Sequence, residues 1–496
     1  MRRISRLVLC LIAFSALFLL WPDAARTQEI QIKLAPNLGV ENFSGRVYVF
    51  FTSGQSEPRN GPNWFRPEPI ISLDVSNWTP EKTVTLTPET PGLLKFPRDV
   101  DFSSLVGQSA QAVVRLNPWE RTVGTGPGNA YSDVSELSEQ EVTLLTVDKI
   151  VPPVEVAKND RVHVVELKSQ LLSDFHQRPV SLKASVVVPE DYDQNPDKRY
   201  PVIYEIPGFG GTYRYGWNRL LAPPTNTDGV SFIKVMLDPE CPLGHHVFAN
   251  SENNGPWGDA LVEELIPEID RRFRTDAREY GRFLTGHSSG GWSSLWLQVA
   301  YPEVFGGVWS TSPDPVDFRD FQRINLYQPG ENMFTDQYGK RRPLARMKGQ
   351  ILIWYNDFSD MEYVLGPGGQ LHSFEAVFSP RGDDGNPLPL WDRKTGEIDT
   401  SVAETWKKYD ISLILKEDWS DLSPHLNGKI HVFMGDVDNF YLEGATVLLD
   451  ETLDGLGSDA EVTLFKGRDH MNLFQGGLHQ RIDQQIADQY RKFQNQ

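Results

Sequence analysis

The sequence predicts an α/β fold, a mainly parallel sheet with helices on both faces, preceded by a small all-β sandwich. Three observations predict it. Short β-branched runs broken by Pro, Gly, Asn and Ser fill residues 28–150, with no long helical period between them. From about residue 160 strand and helix patterns alternate, as they do when crossover helices cover a parallel sheet. A Gly-x-Ser-x-Gly turn then joins one of those strands to a helix. The length of 496 residues allows two or three domains, and the 39% hydrophobic share is enough to build their cores.

The chain opens with Arg2, Arg3 and Arg6, followed by an almost wholly apolar run at 7–20. A basic region and a 14-residue apolar stretch describe a secretory signal, short for a spanning helix, which needs about 20 residues. Asp23-Ala24-Ala25 lacks a small residue at the third position back, so an uncleaved anchor is the alternative to cleavage. Residues 1–27 are therefore expected to be a signal peptide and the protein to be secreted or periplasmic. Their loss removes four Arg and one Asp, taking the net charge from −19 to −22. Such acidity argues against a nucleic-acid or acidic-membrane partner.

Residues 28–150 form the expected β module, with strands at 46–51, 70–75, 83–87, 111–116 and 142–147. Pro152-Pro153 marks its end. Residues 154–496 form the second domain. Its strands are expected at 180–188, 201–206, 232–237, 282–285, 305–311, 430–434 and 461–465. Its helices are expected at 259–272, 292–300, 442–453 and 480–493. Residues 313–428 interrupt the alternation with a segment rich in Pro, Gly, Trp and Asp, read as a cap over the site. Trp354, Tyr355, Trp391 and Trp406 offer it flat apolar surface, and at least one is expected to face the pocket.

Gly286-His287-Ser288-Ser289-Gly290 is weak evidence as a bare pattern. Its place between the strand at 282–285 and a helix makes it a strained turn that exposes the Ser288 hydroxyl. The same turn sets the Ser289 amide at a helix N-terminus, aimed at negative charge. A serine nucleophile needs a base and an orienting acid, in the chain order Ser, acid, His. His470 stands on a loop beyond the strand at 461–465, where such sheets keep their sites, whereas His431 falls inside a strand and His479 in a helix. Asp436 and Asp438 both follow the strand at 430–434, and position alone does not separate them. The loop Pro207-Gly208-Phe209-Gly210-Gly211 can supply a second amide, from Phe209 or Gly210, to an oxyanion.

Two other candidates point away from chemistry. Cys241 sits in an acidic, proline-flanked loop that would not stabilise a thiolate, and with Cys10 in the signal it has no disulfide partner. His245-His246 has no third ligand at metal spacing, so no metal and no cofactor are expected.

Together, 199–204, 286–291, 301–305, 435–440 and 467–470 resemble the putative-esterase branch of the α/β-hydrolase superfamily, with its esterase D-like, feruloyl and enterochelin esterases. The resemblance covers about 160–312 and 429–495. It implies Ser288 as nucleophile and His470 as base. It selects Asp438 because that family's acid stands two residues before the Phe matched here by Phe440, and it points to the Phe209 amide beside Ser289 as oxyanion donor. Pro207 departs from the family, which usually has His there. The reading is an exported serine carboxylic-ester hydrolase acting through an acyl-enzyme on small-molecule or polysaccharide acyl esters. The alternatives are an acyltransferase of the same fold and a non-catalytic carbohydrate-binding protein. Because the β module carries none of these residues, 154–496 alone is expected to hydrolyse a small aryl ester.

Overall fold

The computed structural model describes residues 28–54, 56–138, 142–155, 159–217 and 225–494. The segment read as a signal peptide lies outside the described residues. Among those described, no helix is long and apolar enough to cross a membrane.

The first part of the chain forms one nine-stranded sheet. Ile30–Leu34 pairs with Thr83–Leu86 and Thr143–Ile150, while Phe43–Thr52 pairs with Ile70–Trp78 and Ser109–Val114. Period-2 alternation sorts the long strand Phe43–Thr52 into two faces. Val47, Val49 and Phe51 share a buried core with Ile30, Ile32 and Leu34 from the other half of the sheet. The sheet is thus folded over its own apolar face, which makes the sandwich. Short strands at Ile30–Leu34, Leu94–Phe96 and Ala130–Ser132 join those the pattern predicts.

The opposite face of the long strand is also buried. Tyr48 and Phe50 belong to the main core of the second domain. The sheet of that domain has eight strands: β1 (Val162–Ser169), β2 (Val180–Val187), β3 (Val202–Ile206), β4 (Ile233–Leu237), β5 (Arg282–His287), β6 (Gly307–Thr311), β7 (Ile430–Gly435) and β8 (Glu461–Phe465). Their order is β1-β2-β4-β3-β5-β6-β7-β8. β2 is antiparallel to β1 and β4, and the strands from β4 to β8 run parallel. Being covered on both faces, the central strands are mostly apolar: all five residues of β4 are buried, including Lys234.

Helices follow the same logic. α1 (Ser289–Ala300) covers one face of the sheet. At the C-terminus α6 (Leu478–Gln494) buries Leu478, Ile482, Ile486 and Tyr490 at helical spacing against Phe283, Trp309 and Phe433 on the other face. Between β6 and β7 come α2 (Tyr355–Leu365), α3 (Gln370–Phe378) and α4 (Ile411–Leu426), and α5 (Glu443–Gly455) follows β7. α4 lies against α1 and α5 as an ordinary crossover helix. The segment before it departs from the sheet and extends the main core with an aromatic cluster, in which Trp406 stands 5.1 Å from Phe378 and 5.9 Å from Phe318, and Phe378 lies 5.2 Å from Trp292 of α1.

The β module closes the C-terminus of α2. The last carbonyls of a helix have no intrahelical donor. Here those of Tyr363, Val364 and Leu365 accept from Arg46 Nη1 (3.0 Å), Ser72 Oγ (2.8 Å) and Tyr48 Oη (2.9 Å).

Candidate active site

β5 runs into α1 through a single strained residue. Ser288 has φ 61° and ψ −127°, a conformation that L side chains rarely adopt and that tight packing must enforce. The neighbouring glycines allow it. A Cβ on Gly286 would lie 2.0 Å from the Gly290 carbonyl oxygen, and one on Gly290 would lie 1.9 Å from that of Ile206. The Ser288 amide donates to Thr311 O (3.0 Å) and its carbonyl accepts from Trp292 N (3.0 Å), which pins the turn on both sides. Ser289 is the first residue of α1, where an amide has no intrahelical acceptor.

The loop after β3 passes directly against this turn: the Gly208 backbone packs on Ser288 and Phe209 follows it. His245 holds the loop. Its Nδ1 accepts from Val247 N (3.0 Å), so Nε2 carries the proton and donates to the Pro207 carbonyl (3.0 Å). Burial pushes the ring down to about 4, keeping it neutral. His246 is used likewise, accepting from Phe248 N and donating to Asp238 O. Both histidines are thus occupied by backbone. Cys241 is buried, and burial pushes its thiol up to about 12.

His470 and Asp438 meet at the carboxyl ends of β8 and β7. His470 Nδ1 is 2.8 Å from Asp438 Oδ2, and the other carboxylate oxygen accepts from Phe440 N (2.8 Å). Asp438 is fully buried and its carbonyl is held by Arg346 Nε (2.9 Å). Asp436 turns elsewhere, accepting from Gly467 N at 2.6 Å. Burial alone would lower the His470 pKa. The charge and hydrogen bond of Asp438, with smaller help from Asp314 and Asp469, outweigh it and hold the imidazole above its ordinary value. His431 is packed in its strand, stacked 4.4 Å from Trp309, and His479 stacks on Phe474 at 4.0 Å.

Ser288, His470, Gly208 and Phe209 line one cavity of about 520 Å³. Its remaining wall comes from three parts of the chain. The segment before α4 supplies Leu344, Ile353, Phe358, Leu371 and Phe374; the loops after β7 and β8 supply Phe440 and Phe474; the β module supplies Trp64 and Phe65. The Trp64 ring lies 5.3 Å from Phe209 and 5.5 Å from Phe358, and Phe65 is stacked 6.0 Å from Phe440. An Asx turn sets the pair: Asn63 Oδ1 accepts from the amides of Phe65 (2.9 Å) and Arg66 (3.2 Å).

Three points depart from the sequence reading. The β module does not stand apart from the site, because Trp64 and Phe65 form part of its wall. Of the four aromatics expected from the cap, none faces this cavity. Tyr355, Trp391 and Trp406 are buried in the main core of the domain, and Trp354 lines a separate cleft under Arg341. Rings that fill the core between the insertion and the sheet domain are not left to line the cavity. Finally, Asp314 is a site residue that sequence reasoning missed. It follows β6 in Thr311-Ser312-Pro313-Asp314, an acid beyond the strand next to the nucleophile strand, which was the available signal. Its carboxylate accepts from Ser289 Oγ (2.5 Å) and its amide donates to Ser288 O (3.3 Å). Burial pushes it up to about 6.

With this geometry in place, known proteins can be compared. The model of the Putative esterase family matches residues 179–452. The chain belongs to that family. Curated relatives match over a shorter stretch. Esterase Rv1288 of Mycobacterium tuberculosis is 31% identical over 143 residues, 28% of this chain and 30% of that one. An endo-1,4-β-xylanase/feruloyl esterase of Xylanibacter ruminicola is 27% identical over 140 residues, 25% of this chain and 18% of that one. The match thus spans less than a third of these relatives. Among solved structures, an S-formylglutathione hydrolase from Agrobacterium tumefaciens is 15% identical, covering 66% of this chain and 95% of that one with a TM-score of 0.41.

Proposed function

We propose that this member of the family is a serine carboxylic-ester hydrolase working through an acyl-enzyme. The observation that carries the reading is the strained Ser288 in one cavity with a buried His470–Asp438 pair. Ser288 Oγ attacks the ester carbonyl and His470 Nε2 takes its proton, Nδ1–H being committed to Asp438. Asp438 fixes the tautomer and stabilises the imidazolium. The Phe209 and Ser289 amides receive the oxyanion, each worth about 3 kcal/mol of transition-state stabilisation. His470 returns the proton to the leaving alcohol, and water then cleaves the acyl-enzyme by the same steps. The aromatic and aliphatic wall favours a neutral substrate with a bulky apolar or ring-bearing part. An acyl ester of a carbohydrate fits, with support from the xylanase/feruloyl esterase among the relatives and from the basic-then-apolar N-terminus, which favours export.

Ser288→Ala in the full chain tests the mechanism. Turnover of an aryl acetate should fall by at least about a thousandfold with the fold intact by circular dichroism. Near-parental turnover in the folded variant would refute the serine mechanism. Product analysis with added alcohol separates hydrolysis from acyl transfer.

A further inference from the structure

Away from the catalytic cavity, a second one of about 650 Å³ opens where the β module, the hydrolase sheet and the segment after α3 meet. Four guanidinium groups line it in a chain whose net charge is −19. Arg46 and Arg115 come from the β module, Arg178 from the turn before β2, and Arg381 from the loop after α3. The one carboxylate among the lining residues is Asp74, which is exposed and already taken by Arg46 Nε (2.8 Å) and Nη2 (2.9 Å). Arg115, Arg178 and Arg381 have no carboxylate partner for their guanidiniums among the described residues. They reach main-chain carbonyls instead: Arg115 those of Pro367 (3.1 Å) and Glu120 (2.8 Å), with the Tyr48 side chain as a further hydrogen-bond partner, Arg178 that of Pro179 (3.3 Å), Arg381 that of Gly385 (3.1 Å).

Like charges gathered in this way repel, and removing them from water adds to the cost. The Nε atoms of Arg115 and Arg178 are buried with no acceptor at all. Burial weakens the hold of Arg115 on its proton, with smaller contributions from the Arg121 and Arg46 charges, and Tyr48 offsets only part of this. His176, also on the wall, is held below its ordinary value by burial and then by Arg178 and Arg381. Separate segments therefore converge on one positive space, and an anion is what would relieve it. Beside it Trp119, about half exposed at 55%, carries Arg178 stacked 3.5 Å over its ring. A flat aromatic face next to forked donors suits a ring that bears an acidic group.

We propose that this cavity is a binding site for the acidic group of a sugar-sized ligand, a carboxylate or a phosphate, held by Arg115, Arg178 and Arg381 with its ring against Trp119. The site is separate from the catalytic cavity and does not depend on the esterase reading.

Calorimetric titration of the full chain tests it with three probes: inorganic phosphate, digalacturonate and, as neutral control, lactose. Phosphate, digalacturonate or both should bind, and lactose should not. Binding should weaken in 0.5 M NaCl, as for any pair screened by salt. Arg178→Gln and Arg381→Gln should each weaken it by about tenfold or more, the loss of one charge-assisted hydrogen-bonding pair. Both variants should hydrolyse an aryl acetate at the parental rate, which shows that they fold. Phosphate binding without digalacturonate binding would overturn the ring-bearing ligand and leave the arginines as a site for a free oxyanion. Tighter digalacturonate binding that Trp119→Ala abolishes would identify an acidic sugar. The proposal is overturned if neither anion binds, if lactose binds equally well, or if both arginine variants bind as the parent does.

Discussion

The floor and the wall of the catalytic cavity are built on different principles. The floor is local. Ser288, Ser289, Asp438 and His470 each stand within a few residues of a strand's carboxyl end, and Phe209 follows β3 in the same way. Parallel strands bring such ends together whatever the loops beyond them do. The wall is non-local. Trp64 and Phe65 come from a loop of the β module, and Phe358 and Phe374 from the segment inserted before α4. The difference teaches that, if the proposed mechanism holds, chemistry and selectivity can vary separately, since floor and wall rest on different parts of the chain.

Breaking the floor should have the largest effect. Asp438→Asn removes the partner of Nδ1, and turnover should fall by about 10⁴. Asp436→Asn keeps an acceptor for Gly467 and should stay within a few-fold of the parent in the same assay. The pH profile sharpens the point. In the proposed mechanism His470 acts as a base only when neutral, and its pKa is raised, so kcat/KM should fall as pH drops through a midpoint above 6.5. Without the Asp438 charge the first reason for the rise is gone, and the residual activity should persist to lower pH. An acid limb that stays put would show that Asp438 does not set it.

Stability is next in size. Trp406→Ala empties the aromatic cluster of the segment before α4 and should cost about 3–5 kcal/mol, read as a lower urea midpoint. Breaking the wall should be milder and selective. Trp64→Ala removes a ring from between Phe209 and Phe358. KM for a bulky aromatic ester should rise by about tenfold or more, with an acetate ester little changed. An equal response to both substrates would mean that Trp64 supports the fold and not the choice. Trp354→Ala, outside the cavity, should leave both substrates within about twofold.

The same division marks how much was legible beforehand. β8 falls at 461–465 as the pattern predicts, and the strand ending at the Gly-x-Ser-x-Gly turn was plain. β1 was not: Val162–Ser169 mixes His, Glu and Lys into its apolar run, because it is an edge strand with one open side. Spacing alone left Asp436 and Asp438 tied, since both follow β7, and only the family resemblance favoured Asp438; the folded loop points that carboxylate at His470 and turns Asp436 to Gly467.

Sequence by itself determined what depends on neighbouring residues: the alternation that makes a sandwich and a parallel sheet, the glycines that let Ser288 turn, and the strand ends that carry His470 and an acid. Tertiary structure decided what depends on residues far apart. It set the Asp438 carboxylate against His470, placed Trp64 and Phe65 of the β module on the wall, buried Tyr355, Trp391 and Trp406 instead, and brought Asp314 against Ser289. Periodicity records which face of an element is covered and not what covers it, because any apolar surface of suitable shape satisfies the same hydrophobic demand.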